Sequence, residues 1–258
     1  MFSRARGAGG TEDRVEERTV SVSESGHPPQ RGRPAHPGCS EGHASWHPGR
    51  QRRPRVSSPT AYRTWIGGDN YGIGKSAADF IANELKCQGN VVEIQGVAGI
   101  SVTELRTKGF TDGIKKCNGV IKIVASQPAD FLRDKGLHVM ETILQGQKKI
   151  DAVYTHDDDM AIGGVVQAIK AANRDDETSA TGAGGSKDAM YQIAQGGLYR
   201  ATFLYNPSMS GSAVSIAKLI AEKKGLGELL EPEVPSRIEL PATTVTKENV
   251  AAVQNLGY

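Results

Sequence analysis

From residue 62 onward, short apolar runs alternate with segments whose apolar residues recur every three or four positions. Residues 62–70 (YRTWIGGDN) read as a short strand closing on turn residues, and Ile73, Ala77, Phe80, Ile81 and Leu85 then share one face of a helix over 73–86. A buried-type strand follows at 90–96 (NVVEIQG). The next helix, 101–116, opens on Ser101 with Glu104 three residues later, the spacing of a capping box.

The unit recurs with short connections. Strand 120–125 leads to helix 131–144, strand 151–155 to helix 158–172, strand 178–182 to helix 187–195, and strand 199–205 to helix 208–224. A polar loop (225–236), a strand at 237–240 and a capped helix at 247–255 complete the pattern. Strands alternating with helices of this length predict βαβ units: an α/β fold with a mostly parallel sheet and helices on both faces.

Composition divides the chain at the same place. Residues 1–61 contain no Leu, Ile or Lys, but carry ten Arg, seven of the twelve Pro and four of the six His. Such a segment buries too little apolar surface to offset its ordering entropy. It is therefore expected to lack packed structure, as a disordered leader or an out-of-frame translation. Ten arginines against six acids give the leader +4, so the remainder, with 21 basic and 23 acidic residues, stands at −2. The mild basicity belongs to the leader, and the folded part makes no electrostatic case for nucleic acid. His36, Cys39, His43 and His47 have intervals that zinc could use, but Pro37, Gly38, Gly42 and Pro48 interrupt them and no apolar residues close a fold around a metal. No cofactor is expected. Cys39, Cys87 and Cys117 are too few for a disulfide framework. Residues 1–10 (MFSRARGAGG) have no apolar core of a secretion signal, and no unbroken apolar stretch is long enough to span a bilayer. As written, the chain is expected to carry neither signal nor anchor.

In a parallel sheet, ligands bind beyond the carboxyl ends of the strands. The residues there are 96–99 (GVAG), 126–131 (SQPADF), 156–159 (HDDD), 183–186 (AGGS) and Asn206-Pro207. Carboxylates, amides, an aromatic ring and exposed backbone suit a polyhydroxylated small molecule, whose hydroxyls need donors and acceptors and whose C–H faces lie on rings. Each has a structural reading as well. Asp158 or Asp159 reads as the cap of the next helix, and Asp157 as a cap or a ligand contact alike. Gly182, Gly184 and Gly185 resemble a phosphate cradle, but no Gly-Lys-Ser/Thr follows. His138 reads as a satisfied mid-helix histidine. No nucleophile–base pair assembles at this edge, so an enzyme is not expected.

These junctions carry a resemblance. NVVEIQGVAGISVTELRTKGF, VIKIVASQPADFLRDKGLHVMETIL and IDAVYTHDDDMAIGGVVQAIKAA are similar to the ribose- and galactofuranose-type periplasmic sugar-binding proteins of ABC importers, most specifically in SQPADF-x-R-x-KG and x-DDDMAIG. The resemblance runs from about Thr64 to the end. It implies the type 1 periplasmic-binding-protein fold: two α/β lobes joined by three hinge crossings, here near 64–70, 205–207 and 240–244, with a sugar between them. On this reading 71–204 and 241–258 form a nearly complete C-terminal lobe, and 205–240 is a remnant of an N-terminal lobe largely missing before residue 62. The resemblance implies that Phe131 stacks on the sugar, that Asp157 contacts it, that Arg106 lies in the helix bearing the ligand-facing arginine, and that Tyr205 replaces a hinge Gln. Glu104 holds the commonest ribose-type position for that arginine, and Gly184 the place of a hydroxyl-binding Asp, so the sugar need not be ribose.

The resemblance implies a non-enzymatic solute-binding component with a monosaccharide ligand and an ABC permease partner, expected in the periplasm or cell envelope, or in the cytoplasm if the chain is made as written without a signal. The absent sheet is expected to weaken sugar binding. It would also leave Ala213, Ile216, Ala217, Leu219 and Ile220 as an apolar stripe that drives self-association. The alternatives are the sensing core of a sugar-responsive repressor, for which the leader supplies no helix-turn-helix, and a stand-alone flavodoxin-like domain. A phospho-receiver of that kind would need an acidic pair where Gln95-Gly96-Val97 stands.

Overall fold

The computed structural model describes residues 19–22, 62–222 and 234–258. Its strands form two sheets. The larger contains β3 (Gly89–Gln95), β4 (Ile121–Pro128), β5 (Ala152–Thr155), β6 (Ser179–Gly184), β7 (Tyr199–Leu204) and β9 (Thr243–Val245), in the order β4-β3-β5-β6-β7-β9. All neighbours are parallel except the edge pair β7 and β9. The smaller sheet runs β1 (Thr19–Val22), β2 (Tyr62–Gly68), β8 (Arg237–Leu240), and is parallel throughout.

Strand alternation divides the core into two layers. Val91, Ala152 and Tyr154 point to one face, under α1 (Asn70–Glu84) and α2 (Ser101–Ile114). Val92, Ile94 and Val153 point to the other, under α3 (Arg133–Gly146), α6 (Lys187–Gln195) and the helical run from Asp158 to Ala171. That run is α4 (Asp158–Met160), a π-helical segment (Ala161–Val165) and α5 (Val166–Ala171) in succession, where the periodicity implies one regular helix. Two glycines let α1 and α2 approach backbone to backbone. A Cβ on Gly74 would lie 2.0 Å from the Arg106 carbonyl oxygen, and one on Gly109 would lie 2.1 Å from that of Tyr71.

Three connections cross between the sheets: Asp69 after β2, residues 205–208 after β7, and Pro241-Ala242 between β8 and β9. Helix α7 (Met209–Ala221) turns back onto the smaller sheet. Ala213 and Ile216 are buried there, with Leu219 and Ile220 half-buried beside them, so the stripe expected to be orphaned has a partner within the chain.

Other expectations are corrected. Thr19–Val22 lies in the leader expected to be unstructured, yet its backbone pairs in parallel with β2. Its Thr-Val-Ser-Val alternation suits a strand, and β2 offers an edge. The rest of 1–61, including the four residues weighed for zinc, lies outside the described residues. The cap of α2 is Ile100, with no side-chain bond, and Ser101 already lies inside the helix. The final helix starts late, at Val250–Val253 (α8) continued by a 3-10 turn over Gln254–Leu256, because Thr246–Asn249 are taken up by turn bonds: the Thr246 N–H donates to Asn249 Oδ1 at 2.9 Å, and Asn249 Nδ2 to the Thr244 carbonyl at 2.9 Å.

Cysteine count understated the covalent structure. Cys87 and Cys117 form a disulfide with a Cα–Cα distance of 5.0 Å, tying the end of α1 to the turn after α2 across 30 residues. A loop of that size is worth about 3.5 kcal/mol. The Cys87→Ser/Cys117→Ser chain is therefore expected to unfold at distinctly lower urea than the oxidised wild type, and reductant should bring the wild type to the same midpoint. An unchanged midpoint would refute this.

Candidate functional site

Counted within the larger sheet, the strand order is 2-1-3-4-5 plus an antiparallel edge, which places the reversal of winding between β3 and β5. A crevice opens at the carboxyl ends of two such strands because their connections leave in opposite directions. Gly96 follows β3 there, and His156 and Asp157 follow β5.

The two strand ends are joined through His156, which is fully buried. The Gly96 N–H donates to His156 Nδ1 at 3.3 Å, and His156 Nε2 lies 3.0 Å from Glu93 Oε1. Nδ1 is the acceptor, so the proton sits on Nε2 and points at the carboxylate. Glu93 Oε2 accepts from Ser126 Oγ at 2.6 Å and from Gln95 Nε2 at 3.1 Å. Burial works to raise the Glu93 carboxyl, but the bond and charge contact with His156, then Ser126 and Gln95, leave it below its usual value. Burial also lowers His156, although Glu93 acts to raise it. The pair is a neutral imidazole donating to an ionised carboxylate.

Arg106 reaches the same place from α2 and is buried. Its Nη1 donates to the His156 carbonyl and its Nε to Asn70 Oδ1 at 3.0 Å; Nη2 makes no hydrogen bond to a described residue. Asn70 Nδ2 donates in turn to the Tyr205 hydroxyl at 3.1 Å and the Gly68 carbonyl at 3.2 Å. The Tyr205 ring lies 5.9 Å beneath the guanidinium and against Gly68, where a Cβ would be 2.3 Å from Tyr205 Cζ. Tyr205 thus clasps the first crossing to the second. Phe131 packs over Gly96 so closely that a Cβ there would be 1.9 Å from its Cζ. Asp130 and Phe131 both have positive φ, 56° and 60°, the bend that turns the ring inward over the strand end.

The three consecutive acids have three different tasks. Asp157, not Asp158 or Asp159, is the helix cap: its Oδ1 accepts from the Asp159 N–H at 2.8 Å. Its Oδ2 receives no hydrogen bond from a described residue, and burial, with neighbouring Asp158, pushes the carboxyl up to about 7. Asp158 is fully buried and saturated. Its Oδ2 accepts from the Gly185 and Ser186 N–H groups at 2.7 and 2.8 Å, and its Oδ1 from the Tyr199 and Thr202 hydroxyls, both at 2.7 Å. Asp159 pairs with Arg133 at 2.9 Å on the surface.

Arg106, Phe131, Asp157 and Tyr205 therefore meet around one junction, linked through Gly96, His156 and Asn70. Glu93 and Asn70 were not anticipated. A glutamate inside a strand carries no sequence signal until its histidine is known, although Asn70 stood among turn residues ending a strand. His138 bonds the Asp134 carbonyl within α3 and takes no part. Beside the junction, Asp69, Tyr71, Ser101, Glu104, Lys108 and Arg237 line an open, mixed-charge cavity of about 530 Å³. No cluster of three His, Cys, Asp or Glu among the described residues could hold a metal.

The profile of the periplasmic binding protein domain family matches residues 55–225. The ribose import binding protein of Haemophilus influenzae is 35% identical over 170 residues, 66% of this chain and 55% of that protein. The galactofuranose-binding protein of Escherichia coli is 35% identical over 208 residues, 79% of this chain and 64% of that protein. Among solved structures, the crystal structure of a galactofuranose binding protein superposes with a TM-score of 0.69 at 30% identity, covering 79% of this chain and 69% of that one. The fructose-binding periplasmic domain of a hybrid two-component system gives 0.66 at 30% identity, covering 76% and 62%. The chain thus spans 55–64% of the length of these two curated relatives.

Proposed function

Because the chain belongs to the periplasmic binding protein domain family, we propose that it is the non-enzymatic solute-binding component of an ABC-type sugar importer, with a monosaccharide held at the β3/β5 junction. The observation that carries this reading is the convergence, at the switch point of the sheet, of three groups: a buried carboxylate (Asp157) and a buried guanidinium (Arg106), of which Oδ2 and Nη2 bond no described residue, and an inward-bent ring (Phe131). Two acceptor lone pairs, a planar donor and an apolar face are what a sugar's hydroxyls and C–H face require. The family and its import-protein relatives disfavour the repressor reading.

Arg106, Phe131 and Asp157 are the proposed contacts, with Tyr205 positioning Arg106 from behind. A permease subunit is the proposed protein partner. A cell-envelope location is supported by the relatives and by the Cys87–Cys117 disulfide, which persists in oxidising compartments. No helix among the described residues is long and apolar enough to cross a membrane.

These contacts all come from one side of the ligand. The chain by itself is expected to bind sugars only weakly, with a Kd of roughly millimolar, about 4 kcal/mol. Saturation-transfer NMR with galactofuranosides, ribose and allose at millimolar concentration reads this directly. The expected result is a signal for at least one sugar that Arg106→Ala and Phe131→Ala each abolish. Submicromolar affinity would overturn the one-sided site, and no signal with any sugar would overturn the function.

A further inference from the structure

His156 has every polar group committed, and the commitments tie the site together. Its backbone N–H donates to the Ile94 carbonyl at 3.0 Å, and Nδ1 accepts from the Gly96 N–H at 3.3 Å. Nε2 lies 3.0 Å from Glu93 Oε1, and the His156 carbonyl accepts from Arg106 Nη1. Both ring nitrogens are thus pinned to β3 and the residue after it. The ring also leans on Tyr154, with centroids 5.1 Å apart, and Tyr154 stacks at 4.7 Å on Phe110 of α2, the helix that carries Arg106.

Sheet cohesion does not require this arrangement. β3 and β5 already pair in parallel from Val91 and Ala152 to Ile94 and Thr155. A buried carboxylate with a polar partner adds little stability over well-packed apolar residues of the same volume. What the ring fixes lies beyond the strands. Holding it holds the peptide plane that presents the His156 carbonyl to Arg106, and with it the direction in which Asp157 leaves. It also keeps Gly96 beneath the Phe131 ring, where a Cβ would lie 1.9 Å from Phe131 Cζ. Ser126 steadies the far side, its Oγ donating to Glu93 Oε2 at 2.6 Å. An acceptor at Nδ1 requires the proton on Nε2, so only one tautomer makes both ring bonds.

We propose that the buried His156–Glu93 pair positions the binding site: it touches no ligand, and it presets the Arg106 guanidinium, the Asp157 carboxylate and the Phe131 ring in the arrangement that a ligand meets. This rests on the sugar-binding reading. The test uses the full chain, titrated by saturation-transfer NMR with methyl galactofuranoside, ribose and allose. His156→Asn keeps an acceptor for Gly96 and loses the donor to Glu93, whereas His156→Gln keeps the donor and loses the acceptor. Each is expected to weaken the best-bound sugar about three- to tenfold, the worth of one hydrogen bond. Glu93→Gln combined with His156→Asn should lose no more than the larger single loss, because both remove the same bond. Cys87→Ser/Cys117→Ser, altered at the other end of α1 and α2, should bind as the wild type does. In protein carrying isotope-labelled histidine, His156 should show a bare Nδ1 and a protonated Nε2.

If both His156 variants bind as the wild type does while Arg106→Ala abolishes binding, the positioning role is overturned and the sugar-binding reading stands. The role is equally overturned if the disulfide-free chain weakens as much as the His156 variants, or if Nδ1 carries the proton. Should neither His156 variant fold, Ser126→Ala decides, since Ser126 is exposed and its loss loosens Glu93. A weakening of about two- to threefold is expected there, and unchanged affinity overturns the role. If the wild type binds none of the probes, both readings fall.

Discussion

Asp158→Ala is expected to cost about 4–5 kcal/mol of folding stability, at the upper end of what single substitutions do. The carboxylate is fully buried and collects four donors: the Gly185 and Ser186 amides that open α6, and the Tyr199 and Thr202 hydroxyls on β7. Alanine would leave all four without an acceptor, and each unsatisfied buried group costs about 1–3 kcal/mol, less what an entering water restores. Asp158→Asn keeps one oxygen and should lose roughly half as much. Burial raises the Asp158 carboxyl, and these four bonds act against it. Urea unfolding followed by circular dichroism measures it. A loss below about 2 kcal/mol would show that the network is not what joins α6 to β7.

Most of the fold was legible because parallel strands buried on both faces read as plain apolar runs. NVVEIQ and DAVYT could be nothing else between amphipathic helices, and β3 to β7 with α1, α3 and α6 fall within a few residues of where the pattern puts them. What was not legible depends on partners distant in sequence. β9 is three residues, Thr243–Val245, whose only qualification as a strand is the free edge of β7. The Ser101/Glu104 spacing promised a capping box, but the chain enters α2 at Ile100, one residue too early for it. The Cys87–Cys117 bond depends on α1 and α2 packing in close register, which the glycines at 74 and 109 permit and no cysteine count reveals.

The site divides in the same way. Positions just beyond strand ends can be enumerated from sequence, which gives Phe131 and Asp157 as candidates; Arg106 and Tyr205 are candidates by the resemblance alone. Their assignment to tasks needed geometry. Three successive aspartates look equivalent in sequence, yet they become a cap with one oxygen that bonds no described residue, a saturated buried hub and a surface ion pair. Glu93 sits on the α1/α2 face of its strand, where an apolar residue belongs. Its presence is explained only by His156, which bridges β5 to β3 and gives its carbonyl to Arg106.

Asp157→Asn is expected to stabilise the protein at neutral and alkaline pH, by up to about 4 kcal/mol above pH 7, and to change little at pH 4. The wild-type carboxyl is pushed up to about 7 in the fold, by burial first and by Asp158 second, from an ordinary value of 3.8. Below 3.8 it is protonated whether folded or unfolded and contributes no pH dependence. Between 3.8 and about 7 the unfolded chain ionises while the folded one does not, so stability falls with rising pH by roughly 1.4 kcal/mol per unit. This is the reverse of an ion-paired aspartate. Asparagine keeps the N-cap oxygen and removes the titration. The difference between the two stability–pH curves isolates this residue from every other group. A protein that keeps such a carboxylate gives up stability for something the fold alone does not need. Ligand hydroxyls donating to Oδ2 would supply the missing bonds and favour the ionised form, so sugar affinity should rise between pH 6 and pH 8 in the wild type and stay level in Asp157→Asn. A flat difference curve from pH 4 to pH 8 would place Asp157 in contact with water and remove it from the proposed site.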